Sequence, residues 1–346
     1  MRLRIGLIGL GTDWSSRYQP SLRLMVDRFE LRAVYGSVAA LADQVAREFQ
    51  AEREDSFRRL IQRSDIDAIL MLESDWYGLL PIEAACEFGK AVFCGSSVHL
   101  DPDLAAKLRQ QVETAGIAFM MELPRRFAPA TLRLKELMVT RLGKPRLLFC
   151  HRRLPADQRD HRAHQATSLR SQHELMELLD WCCYLVGREP TWVQGIRHPS
   201  PNDLQTSDYQ ILSLGFGDPE KELDAVLAQV SCGAYMPSGW QEAIAFRPPA
   251  AVQVCCEKGI AFVDLPSTLI WFDQAGRHQE VLDTELSVGQ QLFVQFHRAV
   301  TSLVRKTGDL DDTYRALRIL AAAHQSMISA QRQPLRLEDQ SSAAPT

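Results

Sequence analysis

The sequence predicts an α/β protein in two parts: a parallel sheet covered by helices, then an α/β part built on an open, mainly antiparallel sheet. Three observations predict it. The first third alternates short apolar runs with helix-length patterns, the signature of repeated strand–helix units. After Phe127 the pattern changes to shorter runs of alternating character, as in strands with one buried face. The chain of 346 residues is also too long for one ordinary core. The expected division is residues 1–123, residues 124–337, and a disordered tail over 338–346.

In chain order, the strand candidates of the first part are Arg4–Ile8, Leu31–Tyr35, Ala68–Leu72, Ala91–Cys94 and Ala118–Met121. Helical patterns fall between them at Ser16–Val26, Ala39–Phe49, Ser56–Gln62, Leu80–Phe88 and Pro102–Thr114. The last of these has Asp101 as N-cap, proline in its first turn and Gly116 just past its end. Right-handed crossovers then give a parallel sheet covered on both faces. In the second part, a helix over Ala130–Leu142 stops at Gly143 and Pro145, and Arg146–Leu154 reads as a strand. Pro155–Ser171 is polar and basic and reads as a loop, followed by a helix over Ser171–Val186. Further strands are expected at Thr191–Gly195, Gln210–Phe216, Ala225–Cys232, Gln241–Arg247, Ala251–Glu257, Ile260–Leu265 and Leu269–Asp273, with Lys258-Gly259 as a hairpin turn. Helices over Gln290–Thr307 and Leu310–Ala330 close the chain, the second with Asp311 and Asp312 in its first turn.

Composition narrows the function classes. The formal net charge is −4, with 24% charged and 46% hydrophobic residues. That balance gives no global electrostatic reason for a nucleic-acid or anionic-membrane partner. No apolar run reaches the ~20 residues of a spanning helix. The first strand begins almost at Met1, without an apolar leader and cleavage site, which predicts a cytoplasmic protein. The eight cysteines include the adjacent pairs Cys182-Cys183 and Cys255-Cys256 inside apolar runs, with no Cys-x-x-Cys. They read as buried reduced thiols.

Two local patterns carry chemistry. The strand Ile5–Ile8 runs into Gly9-Leu10-Gly11, then Thr12, Asp13 and Trp14. A turn that cradles a dinucleotide needs one glycine for the bend, a second for approach of the pyrophosphate, and a third small residue for helix–strand packing. Gly9 and Gly11 meet the first two needs. Trp14 fails the third, so the helix is expected to start later or stand further out, with Ser15, Ser16 and Arg17 near an anion. The opposing reading is that the indole fills the groove. At the end of the second strand, where a carboxylate usually meets the ribose hydroxyls, stand Gly36 and Ser37. If a dinucleotide binds, that pair favours NADP over NAD. The second pattern is His173, Glu177 and Asp180 at i, i+4 and i+7, on one helix face. Three readings stand: a carboxyl acid/base at Glu177, a metal held by His173 and Glu177, or a solvated polar face with a structural Asp180. The basic stretch with Arg152, Arg153, Arg159, Arg162 and Arg170 reads as a site for an anionic ligand or as solvated surface.

In this order the elements resemble the Gfo/Idh/MocA family: glucose–fructose oxidoreductase, inositol dehydrogenase and the rhizopine-catabolism proteins. The resemblance rests on LRIGLIGLG, DSFRRLIQRSDIDAILMLES, PIEAACEFGKAVFC, RRFAP, GKPRLLF, VQVCCEKGIAFVD and DDTYRALRILAAAHQS. It implies a Rossmann dinucleotide-binding domain, a C-terminal domain with an open antiparallel sheet, and dimers or tetramers formed through that sheet. It further implies NAD(P)-dependent oxidation or reduction of a sugar, polyol or related small molecule. The family's Glu-Lys-Pro signature falls on Gly95, Ser96 and Ser97, so the signature lysine is replaced by Ser96, with His99 nearby. Its Thr-Pro falls on Glu73 and Ser74, followed by Trp76 and Tyr77, and its acid/base histidine on Glu177, with Asp180 kept. The cofactor residues implied are Gly9, Gly11, Thr12, Trp14, Gly36, Ser37 and Glu73. These departures leave two expectations, an oxidoreductase with altered chemistry and a non-catalytic relative that binds or regulates.

Overall fold

The computed structural model describes residues 1–11, 13–73, 77–95, 102–156, 161–200, 203–217, 225–237, 239–240, 242, 246, 250–282, 286–302 and 308–335, and at 102–103, 161–169, 200, 203–208 and 308–309 the backbone only. The chain divides into two compact units: residues 1–127 with 284–317, and residues 128–283 with 318–346.

The first unit is built on six parallel strands: β1 (Leu3–Ile8), β2 (Phe29–Tyr35), β3 (Glu52–Arg53), β4 (Ala68–Met71), β5 (Ala91–Cys94) and β6 (Phe119–Met121). Their order is β3-β2-β1-β4-β5-β6. The order reverses between β1 and β4, the switch point where open parallel sheets bind ligands. β4 and β5 are buried at every position, as expected for strands with helices on both faces. The helices are α1 (Gln19–Leu24), α2 (Ala39–Phe49), α3 (Phe57–Gln62), α4 (Leu80–Glu87), α5 (Pro102–Ala115) and α6 (Pro124–Phe127). Ser56 caps α3 by accepting from the Arg58 amide at 3.2 Å.

The second unit opens with α7 (Pro129–Leu137), which passes into a π turn over Met138–Leu142 and stops at Gly143. It continues through β7 (Pro145–Ala156), α8 (His161–Val186), β8 (Pro190–Ser200), β9 (Asp203–Phe216), β10 (Val226–Pro237), β11 (Val252–Cys256), β12 (Ile260–Asp264), β13 (Thr268–Asp273) and β14 (Gly276–Val281). The sheet order is β14-β13-β12-β11-β7-β10-β9-β8-β15, where β15 is Gln333–Pro334. Only β7 and β10 run parallel; the other neighbours are antiparallel. The pleat sorts the side chains. Leu148, Cys150, Leu154, Ala228, Val230 and Cys232 point to the α8 side and are buried. Leu147, Phe149, Leu227, Tyr235 and Phe272 are exposed on alternate positions.

Three expectations change here. Pro155–Ser171 is not one long loop: β7 runs on to Ala156, and α8 starts at His161, ten residues earlier than the apolar pattern indicates. The first turns of α8 carry too few apolar residues to show a helical period. Gln241–Arg247 does not read as a strand where it is described, since Glu242 is helical and Phe246 lies in a bend. The polar strands β14 and β15 add two edges without apolar runs to announce them.

The chain then returns to the first unit as α9 (Val288–Thr301), capped by Ser287 and Gln290 in a reciprocal capping box. Phe293 packs against Tyr18, Phe29 and Phe93 with ring centroids 5.9, 5.5 and 5.5 Å apart. Phe296 meets Phe93 at 5.6 Å. Finally, α10 (Gly308–Ser329) begins in the first unit and ends in the second. Near its start, Asp312 pairs with Arg126 at 2.5 Å. No helix among the described residues is long and apolar enough to cross a membrane.

Candidate functional site

At the carboxyl end of β1 the backbone bends through Gly9 and Gly11, at φ +70° and +66°. Side chains other than glycine rarely adopt these angles. Space is also closed: a Cβ on Gly9 would stand 2.4 Å from Glu73 Cβ, and one on Gly11 would stand 2.4 Å from the Leu72 carbonyl oxygen. The turn therefore lies directly on the chain leaving β4, which brings Gly9 and Glu73 together. The Gly9 amide is fixed by the Tyr35 carbonyl at 2.8 Å.

Beyond the glycines, the bulk of Trp14 reshapes the start of the helix. Residues Trp14–Tyr18 form a π turn rather than an α turn, in which the Tyr18 amide donates to the Asp13 carbonyl at 3.3 Å. The wider turn admits the indole, which is buried in the core and meets Phe49 of α2 edge-on at 6.1 Å. The α-helix proper starts later than Ser16, at Gln19, behind this widened turn.

Arg17 does not stand open to an anion. Its Nη1 donates to Glu122 Oε1 and lies 3.2 Å from Asp13 Oδ2. Burial works against its charge, but the Glu122 and Asp13 carboxylates outweigh that and hold it above its ordinary value. Glu122 directly follows β6, and its amide donates to the Cys94 carbonyl at 2.8 Å. Its other oxygen accepts from the Tyr18 hydroxyl, with the Gly95 carbonyl oxygen 3.3 Å from that hydroxyl. Burial pushes the Glu122 carboxyl up to about 7, although Arg17 and Tyr18 pull it down. Burial and the Glu122 charge raise the Tyr18 phenol well above its usual range. Gly95 is integral to this arrangement, since a Cβ there would stand 2.7 Å from the Tyr18 hydroxyl. Gly95 thus makes room for the cluster of Arg17, Tyr18 and Glu122. Sequence reasoning missed it. The available signal was an acidic residue ending the apolar run Phe119–Met121.

At the end of β2, Gly36 and Ser37 stand as expected, Ser37 exposed. A Cβ on Gly36 would meet only Ala42 Cβ, at 3.6 Å. Thr12, Ser74, Trp76, Ser96, Ser97, His99, Arg159 and the tail 338–346 lie outside the described residues, as do the side chains of His161, Arg162 and His164.

In the second unit, α8 carries His173, Glu177 and Asp180 on one continuous helix. The sheet-facing side of α8 is marked by Cys182 Sγ, 3.2 Å from Cys150 Sγ of β7, and by the Ser171 carbonyl, which accepts from Cys232 Sγ of β10 at 3.8 Å. At ~100° per residue, His173, Glu177 and Asp180 lie on the side of the helix turned from the sheet. That side is not solvated: Glu177 is 8% and Asp180 3% exposed. His173 Nε2 and Glu177 Oε1 are 2.7 Å apart, with 23% and 10% of their side chains exposed. Among the described residues, no group of three or more His, Cys, Asp or Glu could hold a metal ion. Arg152 pairs with Glu174 at 3.5 Å.

A glycine turn at the switch point of a sheet ordered 3-2-1-4-5-6 defines a Rossmann-type nucleotide-binding fold. Residues 3–123 match the model of the Gfo/Idh/MocA oxidoreductase family, NAD-binding Rossmann fold. Among curated proteins, none matches the sequence. Solved structures similar in fold over nearly the whole chain include an NAD binding oxidoreductase from Klebsiella pneumoniae, with TM-score 0.79, 17% identity, and coverage of 98% of this chain and 100% of that one. An aldose-aldose oxidoreductase from Caulobacter crescentus, complexed with glycerol, has TM-score 0.79, 16% identity, and coverage of 97% and 100%. A levoglucosan dehydrogenase in complex with NADH and levoglucosan has TM-score 0.79, 14% identity, and coverage of 96% and 99%. At these identities the likeness is one of fold.

Proposed function

We propose that this protein is an NAD(P)-dependent oxidoreductase of a sugar, polyol or related small alcohol or carbonyl compound, working in the cytoplasm. The observation that carries the reading is the Gly9–Gly11 turn, held at positive φ against Leu72 and Glu73 at the switch point of the sheet. The burial of Trp14 in the core supports it further, because the indole is taken up by packing on Phe49. The residues fit the phosphate half of a dinucleotide: Gly9 and Gly11 keep side chains out of its way. At the ribose half they fit a phosphorylated ribose better than a free one. Gly36 has open space and no carboxylate ends β2, so we favour NADP over NAD. When bound, the nicotinamide supplies hydride chemistry. This chain's share is to bind, orient and move a proton, and Glu177 and Asp180 are the residues we assign to the proton. The sugar ligands of the fold neighbours support the substrate class. The exposed Phe149, Phe272 and Leu227 on the outer sheet face support a homodimer or homotetramer formed through that sheet.

Fluorescence titration with NADPH and NADH tests the reading. Saturable binding, tighter for NADPH, is expected. Failure of both to bind at millimolar concentration overturns it. That outcome would leave the second reading, a relative that binds a ligand without turnover. Gly36 in place of the ribose carboxylate and Ser96 in place of the signature lysine favour that reading.

A further inference from the structure

We propose that Arg17 is the side chain that meets the diphosphate of a dinucleotide at the Gly9–Gly11 turn, and that Glu122 takes up a proton when it does. The inference rests on the nucleotide-binding reading above and adds to it a regulation by pH. Three observations carry it. Arg17 is the first cationic residue after the glycine turn, and its Nη1 is shared by two carboxylates, Glu122 and, at 3.2 Å, Asp13. The π turn places them so, because the Asp13 carbonyl accepts from the amides of both Arg17 and Tyr18. Second, the members differ in reach. The Arg17 side chain is 28% exposed and that of Asp13 46%, while that of Glu122 is 6% exposed. A ligand can therefore meet Arg17 and displace Asp13, but it cannot touch Glu122. Third, Glu122 has partners in either state. Ionised, it accepts from Arg17 and from the Tyr18 hydroxyl. Protonated, it can donate to the Tyr18 oxygen while that hydroxyl turns to the Gly95 carbonyl, 3.3 Å away, so no polar group is orphaned.

The sign of the coupling follows from charge. As the structure stands, two carboxylates neutralise the one cation of the turn. A diphosphate brings negative charge toward Glu122 and draws the guanidinium away from it, and both effects favour the protonated carboxyl. The proton comes from the solvent. Burial already lifts Glu122 to about 7, so the change falls near neutral pH. The other groups around it are few. Arg17, Tyr18 and Asp13 act on it from the π turn. On α6, which follows directly, stand Arg125 and Arg126, the latter paired with Asp312 at 2.5 Å. On α9, His297 turns to the Met1 carbonyl at 2.8 Å and Arg298 is exposed. A buried ion pair is a weak stabiliser compared with apolar residues of the same size, so fold stability alone does not call for this one.

Calorimetric titration of the full chain with NADPH, in buffers of different ionisation enthalpy, counts the protons taken up. The wild type is expected to take up close to one proton per NADPH at pH 8 and almost none at pH 5, and its Kd is expected to rise about tenfold from pH 6 to pH 8. Glu122→Gln keeps the shape and cannot ionise. It is expected to bind without that uptake and to lack the tenfold rise. The 2′-phosphate of NADPH titrates alike with both proteins, and NADH, which lacks it, serves as the second ligand. Arg17→Met is expected to bind at least tenfold more weakly and to lose the uptake. A wild type that binds without proton uptake at pH 8, a Glu122→Gln with the wild-type slope, or an Arg17→Met of full affinity overturns the proposal and leaves the nucleotide-binding reading standing. If neither dinucleotide binds the wild type at millimolar concentration, that reading falls and the proposal with it.

Discussion

Glu122→Gln isolates the buried carboxyl of the first unit. In the folded chain this group titrates at about 7, against the 4.5 of an ordinary glutamate. At ~1.4 kcal/mol per pH unit, the gap corresponds to about 3 kcal/mol. The sign is set by proton counting. Between pH 4.5 and 7 the folded chain holds the proton while the unfolded chain has lost it, so stability falls as pH rises through this window. Below the window the group costs nothing; above it the full cost is present. Glutamine keeps the shape and cannot ionise, so the variant lacks this slope. Equilibrium urea denaturation of both proteins at pH 5, 6, 7 and 8 reads the effect. Wild type minus variant is expected to fall by about 2–3 kcal/mol from pH 5 to 8. A difference flat within ~0.5 kcal/mol would refute the reasoning, because Arg17 would then be keeping Glu122 ionised throughout. The other titratable groups facing Glu122, namely Asp13, Arg17 and Tyr18, are common to both proteins and cancel in the difference.

Trp14→Ala should cost about 3–5 kcal/mol by emptying a core site beside Phe49, read by denaturant midpoint; a loss under ~1 kcal/mol would mean the indole is not core. Gly11→Ala combines a left-handed backbone with a 2.4 Å approach to the Leu72 carbonyl, so a thermal-shift assay should show a large drop in Tm and dinucleotide binding should be lost. Cys150 and Cys182 are buried, and the Cys182 thiol is raised by its hydrogen bond with Cys150 and by burial. Iodoacetamide at pH 8 should therefore leave both unlabelled in the native protein and modify both after unfolding, as mass spectrometry of the peptides would show.

Much of the first unit was legible because its strands are short apolar runs bounded by turn residues. Ala39–Phe49 and Ala91–Cys94 have the bounds their patterns predict. The π turn at Trp14 was half legible: the oversized residue announced a disturbance, and its resolution depended on Phe49, thirty-five residues away. The early start of α8 and the strands β14 and β15 were hidden by polar composition, because periodicity reads only faces that are buried. At the site, the shared face of His173, Glu177 and Asp180 followed from spacing. Its burial, and the 2.7 Å contact between His173 and Glu177, did not. Glu122 illustrates the same limit, since its partners come from residues 17, 18 and 95, brought together only by the sheet.

The course of the chain through α9 has a consequence for how the molecule is made. Phe293 and Phe296 complete the aromatic cluster around Phe29 and Phe93, yet they emerge from the ribosome only after the whole nine-stranded sheet except β15 has been synthesised. A fragment ending at Phe127 leaves that cluster uncovered, so the nucleotide-binding half is not an excisable module. Its nascent form waits, with an apolar wound, for the second half to be translated.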